Sequence, residues 1–276
     1  MDYSQILSQQ FNIKEEYAKN IITLLDDGNT IPFIARYRKE MHGSMDDQLI
    51  REFAEKLEYL RGLDKRRDEI RSLIDAQEKL TDEINLALDK AATLSELEDI
   101  YRPYRPKRKT RASIAKEKGL EPLANDILKQ EKGFDPSKSA VDYIDEEKGV
   151  TSVEDAIQGA MDIIAELVSD NAEIRKRIRN LTNANGVLVS VATDEEKDSV
   201  YKNYYDYKEP VKKIAGHRVL AVNRGEKEGF LKVSVETDSE KPLNSIFRAM
   251  ITDKNQLCSD IIREACTDAY QRLIYP

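Results

Sequence analysis

The sequence has few of the residues that build metal sites and disulfide frameworks. Its 276 residues include two histidines, His42 and His217, and two cysteines, Cys258 and Cys266. The cysteines fall eight positions apart on one predicted helix. At about 1.5 Å per residue they lie roughly 12 Å apart, too far for a disulfide between them. The sequence therefore predicts no disulfide, no metal-ligand cluster of the usual spacing and no cofactor, and both histidines are interpreted as structural.

Glycine and proline are also scarce, with 11 and 8 residues. Alanine, leucine, isoleucine, glutamate, lysine and arginine abound, and this balance favours helices. No uncharged apolar run approaches the roughly 18–20 residues of a membrane span, and no signal peptide opens the chain. The sequence therefore predicts a mainly α-helical, cytoplasmic protein without a membrane segment.

Sequence motifs of catalysis are missing. The chain contains no Gly-rich phosphate loop, no Gly-x-Ser-x-Gly elbow and no His-Glu-x-x-His helix. Acid pairs such as Asp46-Asp47 and Glu195-Glu196 are adjacent, so their side chains diverge on a helix or strand. We interpret the chain as a non-enzyme. A metal-dependent nuclease, with carboxylates assembled from distant segments, is the least favoured alternative.

One stretch reverses the charge of an otherwise acidic chain. Residues 102–118, here called the basic segment, hold eight cations against Glu117 alone. Because the chain as a whole carries −8 and this segment +7, the other residues carry −15. Pro103 and Pro106 oppose a regular helix, which predicts an extended stretch at 102–106 with Tyr101 and Tyr104 between the cations.

Cations interleaved with aromatic faces can neutralise phosphates and stack on unpaired bases. The segment therefore predicts weak, salt-sensitive contact with nucleic acid. The alternative is a solvated loop whose arginines pair with the chain's own carboxylates. We assign the contact to residues of two stretches: Arg102, Tyr104, Arg105, Lys107, Arg108, Lys109 and Arg111, together with Arg36, Arg38 and Lys39.

The N-terminal third predicts short helices followed by one long helix. Segments 4–10 and 14–26 have helical patterns, and Pro32 suits the first turn of a third helix. In that helix Phe33, Ile34 and Tyr37 are expected to pack while the basic residues stay in solvent. These elements form a helix-turn-helix-like unit. Ser44 has the capping-box spacing for a long helix over 46–76, with residues 64–69 on its exposed side.

The remaining chain predicts more helices and a small β element near 186–237. Ser95, Thr110 and Ser152 fit helix starts, and the strongly apolar helix after Ser152 is the best candidate for the centre of the core. Segments 187–192 and 230–237 alternate like strands. The division predicted from these patterns is residues 1–76 and 77–276.

Three smaller features leave alternatives open. Four bases at 175–179 form either a second positive patch or a neutralised helix surface. Tyrosines at 201–207 are either a stacking surface or half-buried packing. In the segment 217–229, the residues Val219, Leu220 and Val222 are expected to face the core.

Three stretches carry a family resemblance. They are PFIARYRKE at 32–40, ELEDIYRPYRPKRKTRASIAKEKGLEPLA at 96–124 and HRVLAVNRGEKEG at 217–229. Together they resemble the bacterial Tex transcription accessory proteins, and the likeness covers the whole chain in order. The stretch at 96–124 is highly specific to that family.

The resemblance implies the N-terminal part of such a protein. In the family this region is mostly helical and packs around an RNase H-like domain. Helix-hairpin-helix elements and a nucleic-acid-binding OB-fold domain follow it there, so we expect the present chain to be a truncated form. The implied partners are nucleic acid and RNA polymerase or the C-terminal half of the parent protein. The alternative role is a purely structural scaffold for those partners.

Overall fold

The computed structural model describes residues 2–106, 108–252 and 254–276. Contacts divide the chain into two compact units: unit 1 is residues 1–104 and unit 2 is residues 105–276. Within the described residues there are 15 α-helices and one three-stranded antiparallel sheet. The predicted mainly α architecture with a small β element is therefore confirmed. The predicted division at residues 76 and 77 stays a prediction.

Seven α-helices form the described part of unit 1. They are α1 at Tyr3–Phe11, α2 at Glu15–Asp26, α3 at Ile31–Tyr37, α4 at Lys39–His42, α5 at Asp47–Asp75, α6 at Asp82–Lys90 and α7 at Leu94–Tyr101. The long helix predicted over 46–76 is α5, which makes one helix of 29 residues.

Two of the predicted helix starts in unit 1 are wrong. α5 is capped by Asp46, whose carboxylate accepts a hydrogen bond of 2.8 Å from the Leu49 amide. α7 is capped by Thr93 rather than by Ser95. Ser44 has the right spacing, yet its φ of +62° is left-handed, and a capping residue needs an extended backbone.

The apolar stripe of α5 serves two clusters in succession. Its first half packs against α1–α4, and its second half packs against α6 and α7. The buried apolar positions step by three, four or seven residues, so they lie on one face of the helix. They are Ile50, Phe53, Leu57, Leu60, Leu63, Ile70 and Ile74.

Arg67 occupies that stripe between Leu63 and Ile70, and its predicted exposure is wrong because the residue is only 5% exposed. Its guanidinium donates to the carbonyl oxygens of Leu88 at 2.9 Å and Ala91 at 3.0 Å. It also pairs with Asp64. Carbonyls in the last turn of a helix lack the usual intrahelical donors. The guanidinium of Arg67 provides N–H donors to two such carbonyls at the end of α6.

Unit 2 contains eight α-helices and the sheet in its described part. The helices are α8 at Arg111–Glu117, α9 at Glu121–Lys129, α10 at Pro136–Ala140, α11 at Val153–Asp170, α12 at Ala172–Asn185, α13 at Gly216–Lys227, α14 at Glu240–Met250 and α15 at Gln256–Asp268. A π-helical turn, Ala269–Ile274, follows α15. No helix in the described ranges is long and apolar enough to cross a membrane.

The sheet has the strand order β2-β1-β3, with β1 at Val187–Ala192, β2 at Asp206–Pro210 and β3 at Leu231–Glu236. Both pairings are antiparallel. The tyrosine-rich stretch supplies β2, and its rings pack: Tyr201 is buried and Tyr204 meets Tyr207 edge to face at 5.2 Å. Leu220 does not face the core as predicted, because it lies on the outer face of α13 and is 72% exposed.

The small residues of α11 let its neighbours approach closely. Ala156 and Ala160 are fully buried among α8, α9 and α15. A Cβ atom added at Gly159 would lie 2.3 Å from Leu120 Cδ1. The two cysteines of α15 are free and buried, and burial raises the pKa of the Cys266 thiol to about 12. α11, the predicted centre of the core, lies at the centre of the core of unit 2.

We predict that Gly159→Ala and Gly62→Ala change stability in opposite directions. Both glycines lie inside helices, where alanine is favoured by roughly 1 kcal/mol. At Gly62 nothing lies within 4 Å of the added Cβ, so this variant should gain stability. At Gly159 the clash with Leu120 should outweigh the gain, since overpacking costs about 1–3 kcal/mol. Urea unfolding of the two variants measures the difference, and stabilisation by both would contradict the close packing.

We also predict that Arg67→Met lowers the free energy of unfolding by about 1–3 kcal/mol, the cost of leaving a buried group without its donor. The Ala91 carbonyl loses the guanidinium, whereas the Leu88 carbonyl keeps a bond of 3.3 Å from the Ala91 amide. The matched control is Arg51→Met on the same helix. Arg51 pairs with Asp47 at 3.3 Å on the exposed side, and such a pair contributes about 0.3–0.5 kcal/mol. Equal losses for the two variants in urea unfolding would show that Arg67 has no special role.

Candidate nucleic-acid interface

The first residues of the basic segment end unit 1 in a tight turn. Arg102–Tyr104 is a 3-10 helix that continues α7, so the extended backbone predicted there is wrong. Proline lacks a donor but its φ suits a helical turn, and Pro103 is therefore tolerated at this position. The Tyr104 carbonyl accepts a hydrogen bond of 2.9 Å from Gln77 Nε2, which fixes the end of the turn.

The start of α8 is fixed in unit 2 by a capping box. Thr110 Oγ1 accepts from the Ser113 amide at 3.0 Å, and the Thr110 amide donates to Ser113 Oγ at 2.9 Å. The same Thr110 hydroxyl donates to Glu166 Oε2 of α11 at 2.9 Å. α11 thus fixes the point at which the basic segment becomes helical.

The cations of the segment differ in exposure. Arg102 and Lys118 are half-buried, and Lys118 donates to the Gly149 carbonyl at 2.6 Å. Lys107 lies outside the described residues. The remaining five side chains are exposed: Arg105, Arg108, Lys109, Arg111 and Lys116.

Ion pairs offset only part of this charge. Lys109 lies 3.7 Å from Glu117 and Lys116 lies 3.4 Å from Glu121, with at least 39% of each side chain exposed. Pairs of this kind contribute at most about 1 kcal/mol and weaken with salt. Arg102 and Arg105 also interact within the chain. Exposed pairs can exchange a carboxylate for a phosphate at little cost.

Arg111 differs from the other exposed cations because it lies beside buried acid. It lines a cavity of about 210 Å³ together with Lys118, Asp155 and Asp162. Burial raises the pKa of the Asp162 carboxyl, and the guanidinium groups of Arg111 and Arg272 oppose that rise. Among the described residues, Asp162 Oδ1 has no hydrogen-bond partner. The field of Asp162 therefore offsets part of the positive charge of Arg111.

The second predicted cluster, Arg36, Arg38 and Lys39, lies where α3 gives way to α4 in unit 1. All three side chains are exposed. The break between the helices is fixed at the Ile34 carbonyl, which accepts from the Arg38 amide at 3.1 Å and from His42 Nε2 at 3.1 Å. His42 is fully buried, in keeping with its structural interpretation.

The aromatic residues beside this cluster do not pack as predicted. Phe33 is 36% and Tyr37 is 65% exposed, while Ile34 alone takes the core position. The two rings lie 5.3 Å apart, and the Arg38 guanidinium lies 5.5 Å from the Phe33 ring. Our sequence reasoning missed these two side chains as site residues. Their spacing of four on a short basic helix was the available signal.

The basic residues of α12 bring fewer exposed cations together. On α12, Lys176 and Arg177 are exposed, but Arg175 and Arg179 are half-buried, and Arg175, Lys176 and Arg179 interact within the chain. Across the described ranges, no three His, Cys, Asp or Glu side chains are placed to hold a metal ion.

Two family matches cover most of the chain. Residues 1–75 match the Tex-like protein N-terminal domain, and residues 131–273 match the family described as Tex central region-like.

Three relatives show how the chain compares with longer proteins. Uncharacterized protein YdcI of Bacillus subtilis is 43% identical over 283 residues, covering 100% of this chain and 39% of YdcI. Transcriptional accessory protein Tex of Neisseria gonorrhoeae is 39% identical over 238 residues, covering 86% of this chain and 31% of the relative. S1 RNA-binding domain-containing protein 1 of Homo sapiens is 30% identical over 293 residues, covering 100% of this chain and 29% of the relative. The chain thus spans about a third of the length of these relatives. Because the match to the Tex central region alone takes in more than half of its residues, the chain belongs to the Tex family.

Proposed function

We propose that this chain contributes a non-catalytic, electrostatic contact with nucleic acid to a Tex-like transcription accessory protein. The observation that carries the proposal is the exposure of Arg105, Arg108 and Lys109 in a chain of net charge −8. General acidity opposes indiscriminate coating of a polyanion, so contact has to be local. These three cations provide such a place.

Counterion release sets the strength of the contact. Each neutralised phosphate contributes a slope of about −0.9 to log K against log salt on a duplex, and about −0.7 on a single strand. With three or four phosphates, affinity for a duplex falls about 40- to 150-fold between 50 and 200 mM salt. The proposed contact is therefore weak at physiological salt and supplements stronger sites elsewhere in a longer protein.

The relatives support the setting of this proposal. One is named a transcriptional accessory protein, and another is named for an S1 RNA-binding domain. We propose RNA polymerase, or the rest of a longer parent protein, as the partner that brings the chain to nucleic acid.

A protein-docking role is the second candidate, and Arg111 favours it. Arg111 lines a cavity together with Asp162 of its own chain, so the segment already adjoins a carboxylate there, and the exposed cations beside it can equally meet carboxylates of a protein. In that case the segment is a scaffold contact. A metal-dependent nuclease is the third candidate, and cleavage of nucleic acid by this chain with Mg²⁺ or Mn²⁺ would support it instead.

We predict that the triple variant Arg105→Glu, Arg108→Glu, Lys109→Glu loses binding to a fluorescent duplex or single strand. The salt slope should fall by about one per phosphate contact removed. Fluorescence anisotropy at 50 and 200 mM salt measures both quantities. Thermal melting should be unchanged, because the three side chains are exposed.

The matched control reverses three exposed lysines of unit 2 outside the segment: Lys132, Lys212 and Lys213. It produces the same change of net charge and should retain more binding than the segment variant. Equal loss in both variants would show that net charge alone governs binding. If the segment variant binds the oligonucleotide as tightly as the unaltered protein does, the segment is not the nucleic-acid contact. Binding of the unaltered 276-residue chain to an acidic protein would then support the scaffold role.

A further inference from the structure

Phe33 and Tyr37 form an aromatic surface that the core does not use. They lie four residues apart on α3, so both rings project from the same side of the helix. The ring centroids are 5.3 Å apart and the ring planes are tilted by 42°. Single exposed apolar side chains are common on this chain, so the feature that indicates a contact site is the pairing of two rings next to exposed cations.

Buried contacts and hydrogen bonds fix the backbone that carries the two rings. Ile34 is fully buried under α3, and its carbonyl accepts the two hydrogen bonds from Arg38 and His42. Asn20 Nδ2 donates to the Met41 carbonyl at 3.1 Å, which ties α4 to α2. A preorganised surface loses less conformational entropy when it binds.

Cations adjoin the two rings in the sequence, and one of them lies over a ring. Arg36, Arg38 and Lys39 are exposed, and none of them has an ion-pair partner within the part of the chain that the structure describes. Arg38 lies over the Phe33 ring, and Glu40 is the one acid in the stretch 32–41. The local charge is therefore positive in a chain that is negative overall.

We propose that Phe33 and Tyr37 stack on an unpaired base while Arg36, Arg38 and Lys39 contact the flanking phosphates. Charge complementarity selects a polyanion, and the exposed parts of the two rings, above all of Tyr37, select a polyanion that carries accessible bases. A duplex hides its base faces, so this surface discriminates in favour of single strands. It is a contact separate from the basic segment and of a different chemical kind.

The absence of tryptophan from the chain provides a direct test. In the variant Tyr37→Trp, the one indole reports on the proposed surface. Titration with a twelve-residue thymidine oligonucleotide should quench its fluorescence, because a stacked base quenches an indole. The matched control is Tyr59→Trp on α5, where a ring that is 41% exposed also lies near a cation, Lys56 Nζ at 4.9 Å. The control should not be quenched.

Two further probes separate stacking from phosphate contact. An abasic strand of the same length keeps the phosphates, and a duplex keeps the bases but hides them. Neither should quench the indole at position 37. In anisotropy titrations of otherwise unaltered protein, the variant Phe33→Leu, Tyr37→Leu should bind the thymidine strand roughly 5- to 100-fold more weakly. Its binding of the abasic strand should not change, and the separate variant Tyr37→Phe, which keeps a ring at position 37, should retain the affinity of the unaltered protein.

Several outcomes would overturn the proposal. Equal quenching of the indoles at positions 37 and 59 would do so, and so would equal quenching by the thymidine and abasic strands. Quenching of the indole at position 37 by polyglutamate would also overturn it, because that result would assign the surface to an acidic protein. Failure of the basic-segment proposal looks different, because it leaves binding of the abasic strand unchanged after charge reversal at Arg105, Arg108 and Lys109.

Discussion

The close packing of α11 is the constraint on which unit 2 depends. Alanines and Gly159 on this helix leave room for α8 and α9 to approach, so one core serves all three helices. The same helix provides Glu166, which accepts a hydrogen bond from Thr110 at the start of α8. Core packing thereby fixes the point at which the basic segment becomes helical. The exposed cations Arg108 and Lys109 immediately precede this fixed point.

An acidic protein can keep exposed cations only if its carboxylates do not neutralise them. At physiological ionic strength, interactions between exposed charges fade beyond about 8 Å. Distant acids therefore contribute little at Arg108 and Lys109, and the near partner Glu117 is itself exposed. Arg111 shows a different case, because it lines a cavity with Asp162, a partly buried acid that also pairs with Arg272 at 3.7 Å and whose field is less screened. The availability of each cation thus depends on the burial of the nearest acid.

The sequence predicts the long helices well because their apolar residues repeat every three or four positions over many turns. α5 and α11 follow this pattern. The pattern fails for α3, which has seven residues and buries only one of them, Ile34. Phe33 and Tyr37 lie on another side of this helix and remain exposed.

Errors elsewhere have similarly local causes. A serine followed by an acid three residues later does not reveal the backbone dihedrals that a cap requires, so Ser44 was misassigned. The sequence predicts an exposed Arg67 because arginine is rarely buried. Its burial depends on carbonyls at the end of α6, which sequence patterns do not bring together. The placement of cations was predictable as a cluster, but the offset of Arg111 by Asp162 needed the tertiary structure.

The two proposed contacts respond differently to salt. Phosphate contact at Arg105, Arg108 and Lys109 is electrostatic and weakens steeply as salt rises. Stacking on Phe33 and Tyr37 depends mainly on apolar and dispersion contacts, which salt does not screen. At low salt the electrostatic contribution dominates, and single and double strands bind alike. As salt rises, the stacking contribution forms a growing share of the binding free energy. The preference for single strands should therefore increase with ionic strength, even while the total affinity falls.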